Sequence, residues 1–280
     1  MSYRTILMHC NDRRRIEALL VPTVGLAETF QAHLLALSVV PPIAVISAGA
    51  PNGPPIVIDE HRKLYCEESR AMRSLFEIAT RGRAFVSEWR EDEADANGVA
   101  DRVLNYARAA DLVVAAQTDP QWPSAEWLDV ADRLAIESGR PVLILPSAGA
   151  KARIGERVLV GWNARREAAR AVFDALPILQ RAKEVKVVWV NPQSEHNLAQ
   201  DIPAGDICAA LARHGVKCYA AEETRPRAGV GESLLACAKD MGADLVVMGC
   251  YGHTRLREFV FGGASRYVLA HMPLPVLMSR

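Results

Sequence analysis

The chain lacks several features that would settle its class at once. It has no apolar run of about 18 residues, so no stretch reads as a transmembrane helix. Charge of neither sign is in excess: Lys+Arg and Asp+Glu both number 33, for a formal net charge of zero. That balance argues against a general binder of nucleic acid or acidic membrane, which shows a basic surplus. Six cysteines occur with no CxxC pair, so they read as reduced, mostly buried small apolar residues, not zinc ligands. Seven histidines show no HExxH spacing. No Walker A, GxGxxG or GxSxG pattern is present, and no base, nucleophile and oxyanion donors line up. The expectation is a protein that is not an enzyme. The opening Met1-Ser2-Tyr3-Arg4-Thr5-Ile6-Leu7 has no signal-peptide layout, so a cytoplasmic location is expected.

What is present is an internal repeat. Thr5-Ile6-Leu7-Met8-His9-Cys10-Asn11-Asp12-Arg13-Arg14 is echoed by Arg157-Val158-Leu159-Val160-Gly161-Trp162-Asn163-Ala164-Arg165-Arg166. Both are an apolar strand ending near Asn, followed by x-Arg-Arg. Ala110-Asp111-Leu112-Val113-Val114 returns letter for letter as Ala243-Asp244-Leu245-Val246-Val247. Pro141-Val142-Leu143-Ile144-Leu145 and Pro275-Val276-Leu277-Met278 close the two copies. Pro146 to Ala150 read as a linker, giving domains 1–148 and 151–280.

Each copy alternates strands and helices. The first copy reads as strands 4–9, 33–39, 83–88, 111–115 and 141–145, with helices 13–30, 59–80, 97–109 and 124–138 between them. Pro22 puts the middle of the first helix in question. The stretch 41–55 is a Pro/Gly-rich loop, and Glu91, Asp92, Glu93 and Asp95 read as a solvated loop. The second copy has strands 156–161, 185–190, 216–221, 244–248 and 275–279. Its helices include one that Pro177 kinks, one from about Asp201 to Arg213, 232–241, and about Ser265 to Ala270. The fold class is α/β: two tandem, doubly wound, parallel five-stranded sheets of Rossmann-like kind, with right-handed crossovers.

In such sheets a ligand sits beyond the carboxyl ends of the strands, where strand order reverses. Three segments of the second copy converge there: Gly161-Trp162-Asn163, Trp189-Val190-Asn191, and the loop Gly249 to Ser265. Gly249 and Gly252 permit unusual backbone angles and close approach to a ligand. Gly262, Gly263, Ala264 and Ser265 lead into a helix whose free N–H groups favour phosphate. His253, Arg255 and Arg257 add positive charge. The plainer alternative is a shaped turn with solvated arginines.

The spacing Gly249-x2-Gly252-x9-Gly262 after Asp-Leu-Val-Val-Met resembles the nucleotide-binding universal stress proteins. Gly252-His253-Thr254-Arg255, Gly262-Gly263-Ala264-Ser265 and the final Pro-Val-Leu-Met look like that family too. The resemblance covers the whole second copy and, more weakly, the first. It implies an adenine nucleotide alpha hydrolase-like fold and an ATP or AMP ligand, with Mg as counter-ion. It places the phosphates on Gly249, Gly252, Gly262, Gly263, Ala264 and Ser265, where the charge of His253 would add to the site, and ribose and adenine at Asn163 and Val190. It implies a stress-response binding or signalling module; the balanced charge and the lack of a long apolar run add the expectation of no nucleic-acid or membrane partner. The chain departs from the family pattern at Gly263, where Ser or Thr is usual, and at Asn163, where Asp is commoner. The alternative is an interaction protein acting through its surfaces.

The first copy has Ala116 and Asp119 where the second has Gly249 and Gly252, and no glycine from Pro120 to Trp127. It reads as a degenerate copy, with Trp122 and Trp127 packed over the former pocket mouth or, as the alternative, forming an interaction surface. The apolar strands 141–145 and 275–279 are edges that need covering. A homodimer, or an intrachain pseudo-dimer, would cover them.

Overall fold

A computed structural model describes residues 2–41, 55–95, 97–122, 124–190, 203–225, 228–250 and 263–280. The order is β1 (Thr5–His9), α1 (Ile16–Phe30), β2 (His33–Val40), α2 (Pro55–Thr80), β3 (Ser87–Glu93), α3 (Val99–Ala107), β4 (Leu112–Ala116), α4 (Ala125–Leu128), α5 (Ala131–Glu137) and β5 (Val142–Leu145). The second half continues with β6 (Arg157–Gly161), α6 (Arg166–Asp174), α7 (Leu176–Leu179), β7 (Glu184–Val190), α8 (Pro203–Arg213), β8 (Cys218–Glu223), α9 (Val230–Asp240), β9 (Leu245–Gly249), α10 (Gly263–His271) and β10 (Val276–Ser279).

The two expected five-stranded sets are present and joined edge to edge. One ten-stranded sheet runs β3-β2-β1-β4-β5-β10-β9-β6-β7-β8. Read from either outer edge, the order is the same. Every pairing is parallel except β5 with β10, which is antiparallel with Leu277 opposite Leu143. The apolar closing strands therefore cover one another within a single chain, and Leu143/Leu277 lies on an internal pseudo-two-fold axis.

Alternation along the strands fills a core on each face. One core takes Leu143 and Leu277 with residues of α1, α2, α6, α7 and α8. The other takes Val142, Ile144, Val276 and Met278 with residues of α3, α4, α5, α9 and α10. Both cores contain residues of both halves, so burial on each face runs past the seam.

The repeated Ala-Asp-Leu-Val-Val has a structural cause. The Asp111 carboxylate accepts the Arg4 and Thr5 N–H groups at 2.7 and 2.9 Å. Asp244 accepts those of Gly155, Glu156 and Arg157. Each aspartate ties the start of the fourth strand to the start of the first.

Several expectations are corrected. The third strand covers Ser87–Glu93, not 83–88, so Glu91, Asp92 and Glu93 lie on an edge strand and not in a loop. An edge strand tolerates such charge because only one side is paired and neither face is deeply covered. Partners are at hand: Ser69 donates to Glu91, Tyr106 to Asp92, and Arg62 pairs with Glu93. The helix expected over 124–138 is two helices, parted at Asp129, whose backbone is extended. Pro22 does not interrupt α1. Cys10, Cys237 and Cys250 are buried, but Cys66, Cys208 and Cys218 are part-exposed; all six are free. The expected loop residues 42–54, together with Asn191, lie outside the described residues, as does the side chain of Trp127.

Candidate functional site

Strand β6 has β7 on one side and β9 on the other, so strand order reverses between β6 and β9. A cavity of about 480 Å³ opens at that point, beyond the carboxyl ends of these strands. Its size falls within the roughly 300–1,000 Å³ of small-molecule sites. Asn163, Val190, Gly249, Gly263, Ala264 and Ser265, all expected from sequence, line it together. Gly252, His253 and Gly262 lie outside the described residues, as do Arg255 and Arg257.

Three helices begin at the cavity wall. Arg165 and Glu167 belong to the start of α6, Gly229 to Gly231 to the start of α9, and Gly263 to Ser265 to the start of α10. The first N–H groups of a helix have no intrahelical partner and carry the positive end of its dipole. Neither α6 nor α9 satisfies these donors with a capping side chain. Backbone donors without caps at one wall are the elements of an anion site. The segment Gly229-Val230-Gly231 was not singled out in the sequence. Its signal was a pair of glycines directly before a helical pattern.

The glycines divide by role. A Cβ on Gly249 would stand 2.5 Å from the Glu167 carbonyl carbon and 2.6 Å from Ala168 N. Gly249 is therefore small so that α6 can lie against the end of β9, and it does not adopt a left-handed backbone. Gly231 lets α9 approach α10, since a Cβ there would meet Ala264 O at 2.6 Å. Among the described residues nothing lies within 4 Å of a Cβ position on Gly263.

Asn163, Arg165, Glu167, Ser265 and Tyr267 supply polar side chains among the described lining residues. Asn163 Oδ1 accepts the Arg165 N–H at 3.2 Å, across the left-handed Ala164. This turn uses the acceptor end of the Asn163 amide and leaves Nδ2 as the group it can offer a ligand. Glu167 is buried and is the one carboxylate among the described lining residues. Val188, Leu234 and Met248 supply apolar wall.

The corresponding position of the first half is filled by its own side chains. Arg15, the counterpart of Glu167, is buried and pairs with Asp129 at 2.5 Å. Asn11, the counterpart of Asn163, donates to Asp129 Oδ1 at 2.6 Å and to Leu128 O. The Asp119 N–H donates to Asp129 Oδ2 at 2.8 Å. Asp129 thus sits as an internal anion on an arginine, an amide and a backbone N–H. Trp122 covers it, with the Arg15 guanidinium 4.6 Å from the ring centroid. Burial pushes the Asp129 carboxyl up even against Arg15, and burial with Arg15 pushes His9 down to about 3.

Residues 156–280 match the model described as the universal stress protein family. Over 99% of its length the chain superposes on 96% of a universal stress protein from Archaeoglobus fulgidus DSM 4304, with a TM-score of 0.71 and 14% identity. It likewise matches 92% of a functionally unknown protein from Pseudomonas aeruginosa PAO1, with a TM-score of 0.53 and 16% identity, again over 99% of this chain. At these identities the likeness shows a shared fold, which both solved structures carry along nearly the whole chain. No curated protein sequence matches.

Proposed function

From the premise that residues 156–280 form a universal stress protein domain, we propose that this half binds an adenine nucleotide, ATP or AMP. The observation that carries the reading is the convergence of α6, α9 and α10, by their N-termini, on one cavity at the switch point of the sheet. Ala264, Ser265 and the backbone N–H groups at the start of α10 receive phosphate oxygens. Val190 and the apolar wall of Val188 and Leu234 receive the base. Asn163 Nδ2 donates to a ribose hydroxyl.

A divalent counter-ion such as Mg would travel with the phosphates. Among the described residues no group of three His, Cys, Asp or Glu gathers to hold a metal ion. Glu167 is the carboxylate that could share one with the phosphates, in the manner of magnesium sites that use one or two carboxylates.

The role that follows is a binding or signalling module of the stress response, with at most slow hydrolysis of the nucleotide. The setting proposed for that role is the cytoplasm; among the described residues no helix is long and apolar enough to cross a membrane. Calorimetric titration of the full chain with ATP and Mg is the test. The expected outcome is saturable heat with one site per chain. Absence of heat at millimolar nucleotide sinks the reading and leaves a protein acting through its surfaces.

A further inference from the structure

The residue that follows the fourth strand of each half reaches across the seam to the other half. In the first half it is Gln117, after Ala116; in the second it is Cys250, after Gly249. Their backbones correspond. Gln117 N–H donates to Leu145 O at 2.8 Å and Cys250 N–H to Ser279 O at 2.9 Å, the last residues of β5 and β10. Their side chains cross in opposite directions. Gln117 Nε2 donates to Leu269 O of α10 at 2.7 Å. The Cys250 thiol donates to Ala135 O of α5 at 3.2 Å. Each half therefore holds the last helix of the other.

The two contacts differ in consequence, because of the two helices held, α5 and α10, it is α10 that lines the cavity. This helix has nine residues, short for a helix that must stand on local interactions. Leu269 O is one of its last four carbonyls, which have no partner within the helix. Gln117 supplies that partner from outside. The amide is itself held fast: its Oε1 accepts the Ser147 N–H at 3.2 Å, and its backbone carbonyl accepts Arg15 Nη1 at 2.8 Å. Arg15 is anchored in turn on Asp129. The polar cluster that fills the first half's own site is thus the footing of the contact to α10.

We infer that the first half serves as a brace for the ligand site of the second, and that Gln117 is its positioning residue, fixing α10 so that the N–H groups at its start face the cavity. The inference rests on the nucleotide reading for its effect on affinity, but not for its effect on α10.

The experiment uses the full chain with Gln117→Leu and Gln117→Glu. Leucine removes both side-chain bonds at similar size. Glutamate keeps an acceptor for Ser147 N–H but sets a carboxylate against Leu269 O. Hydrogen exchange of ligand-free protein is read over α10 and, as internal control, over α9. Both variants are expected to exchange faster in α10, with α9 unchanged. In calorimetry they are expected to bind ATP roughly 2- to 12-fold more weakly than wild type, the range that one net hydrogen bond supplies. Unchanged exchange in α10, or equal acceleration in α9 and α10, overturns the brace whether or not ATP binds. Faster exchange in α10 with wild-type ATP affinity overturns its link to the site. A wild type that binds no ATP overturns the nucleotide reading, while the exchange result still decides the brace.

Discussion

Gly263 stands first in α10, and among the described residues nothing lies within 4 Å of a Cβ placed on it. A hydroxyl there is expected to reach the phosphate oxygens of the proposed ligand. Gly263→Ser is accordingly expected to tighten ATP binding about 10-fold, the effect of one hydrogen bond to a charged group. Paired calorimetry of variant and wild type reads this directly, and an unchanged or weaker Kd would refute it. Gly249 and Gly231 show the opposite case. Their glycine identity is consumed by neighbouring backbone at 2.5 to 2.6 Å, so they shape the site without touching its contents by a side chain. A glycine in a ligand-like motif can thus be present for packing, and the motif alone does not separate the two roles.

Among the elements, α5 carries a charge that its surroundings resist. Burial, with the Asp129 carboxylate nearby, pushes Asp132 up to about 6. The unfolded chain titrates this group near 3.8. Between those values the folded state binds more protons than the unfolded one, so this group's contribution to stability falls as pH rises through the window. Asp132→Asn removes that dependence. Relative to wild type, the variant is expected to gain stability at about pH 7 and to gain least at about pH 4, measured as urea midpoints at both. A gain that is equal at both pH values would refute the assignment. The break between α4 and α5 belongs to the same neighbourhood. Local pattern reads 124–138 as one helix, but the carboxylate of Asp129 has Arg15, Asn11 and a backbone N–H to satisfy it, and the chain bends to deliver it.

Across the whole molecule, the antiparallel pairing of β5 and β10 makes one sheet of two repeats. Leu143 and Leu277 face each other at its centre and are fully buried in the same core. Each leucine truncated to alanine is expected to cost about 2–5 kcal/mol. Because both line one space, the double variant is expected to cost less than the sum, with a coupling on the order of 0.5–3 kcal/mol in denaturant unfolding. Strict additivity would show that the seam does not behave as one packed unit. The halves also differ in what they hold at corresponding places. In the first, Arg15, Asn11 and Asp129 pair with one another, and this half supplies strand pairing and the Gln117 contact to the second.

Sequence by itself determined the repeat, the alternation of strands and helices, and the place in the sheet where a cavity opens. These follow from short-range physics: apolar runs mark covered strands, 3.6-residue spacing marks helices, and a parallel sheet has its switch point at a fixed place in its strand order. Asn163, Val190, Gly249, Gly263, Ala264 and Ser265 were legible for that reason, and they line one cavity. Tertiary structure alone decided the rest. Gly229 to Gly231 join the site because α9 packs on α10, and Asp129 fills the first site from a position no local pattern marks. The third strand lies a few residues later than expected, since edge pairing with β2 outweighs the polarity of Glu91 to Glu93. The union of the two sheets, and the crossing of Gln117 and Cys250, depend on contacts between residues more than a hundred positions apart. Such contacts leave no periodic trace in a single chain, because either partner alone reads as an ordinary apolar strand or an unremarked polar residue.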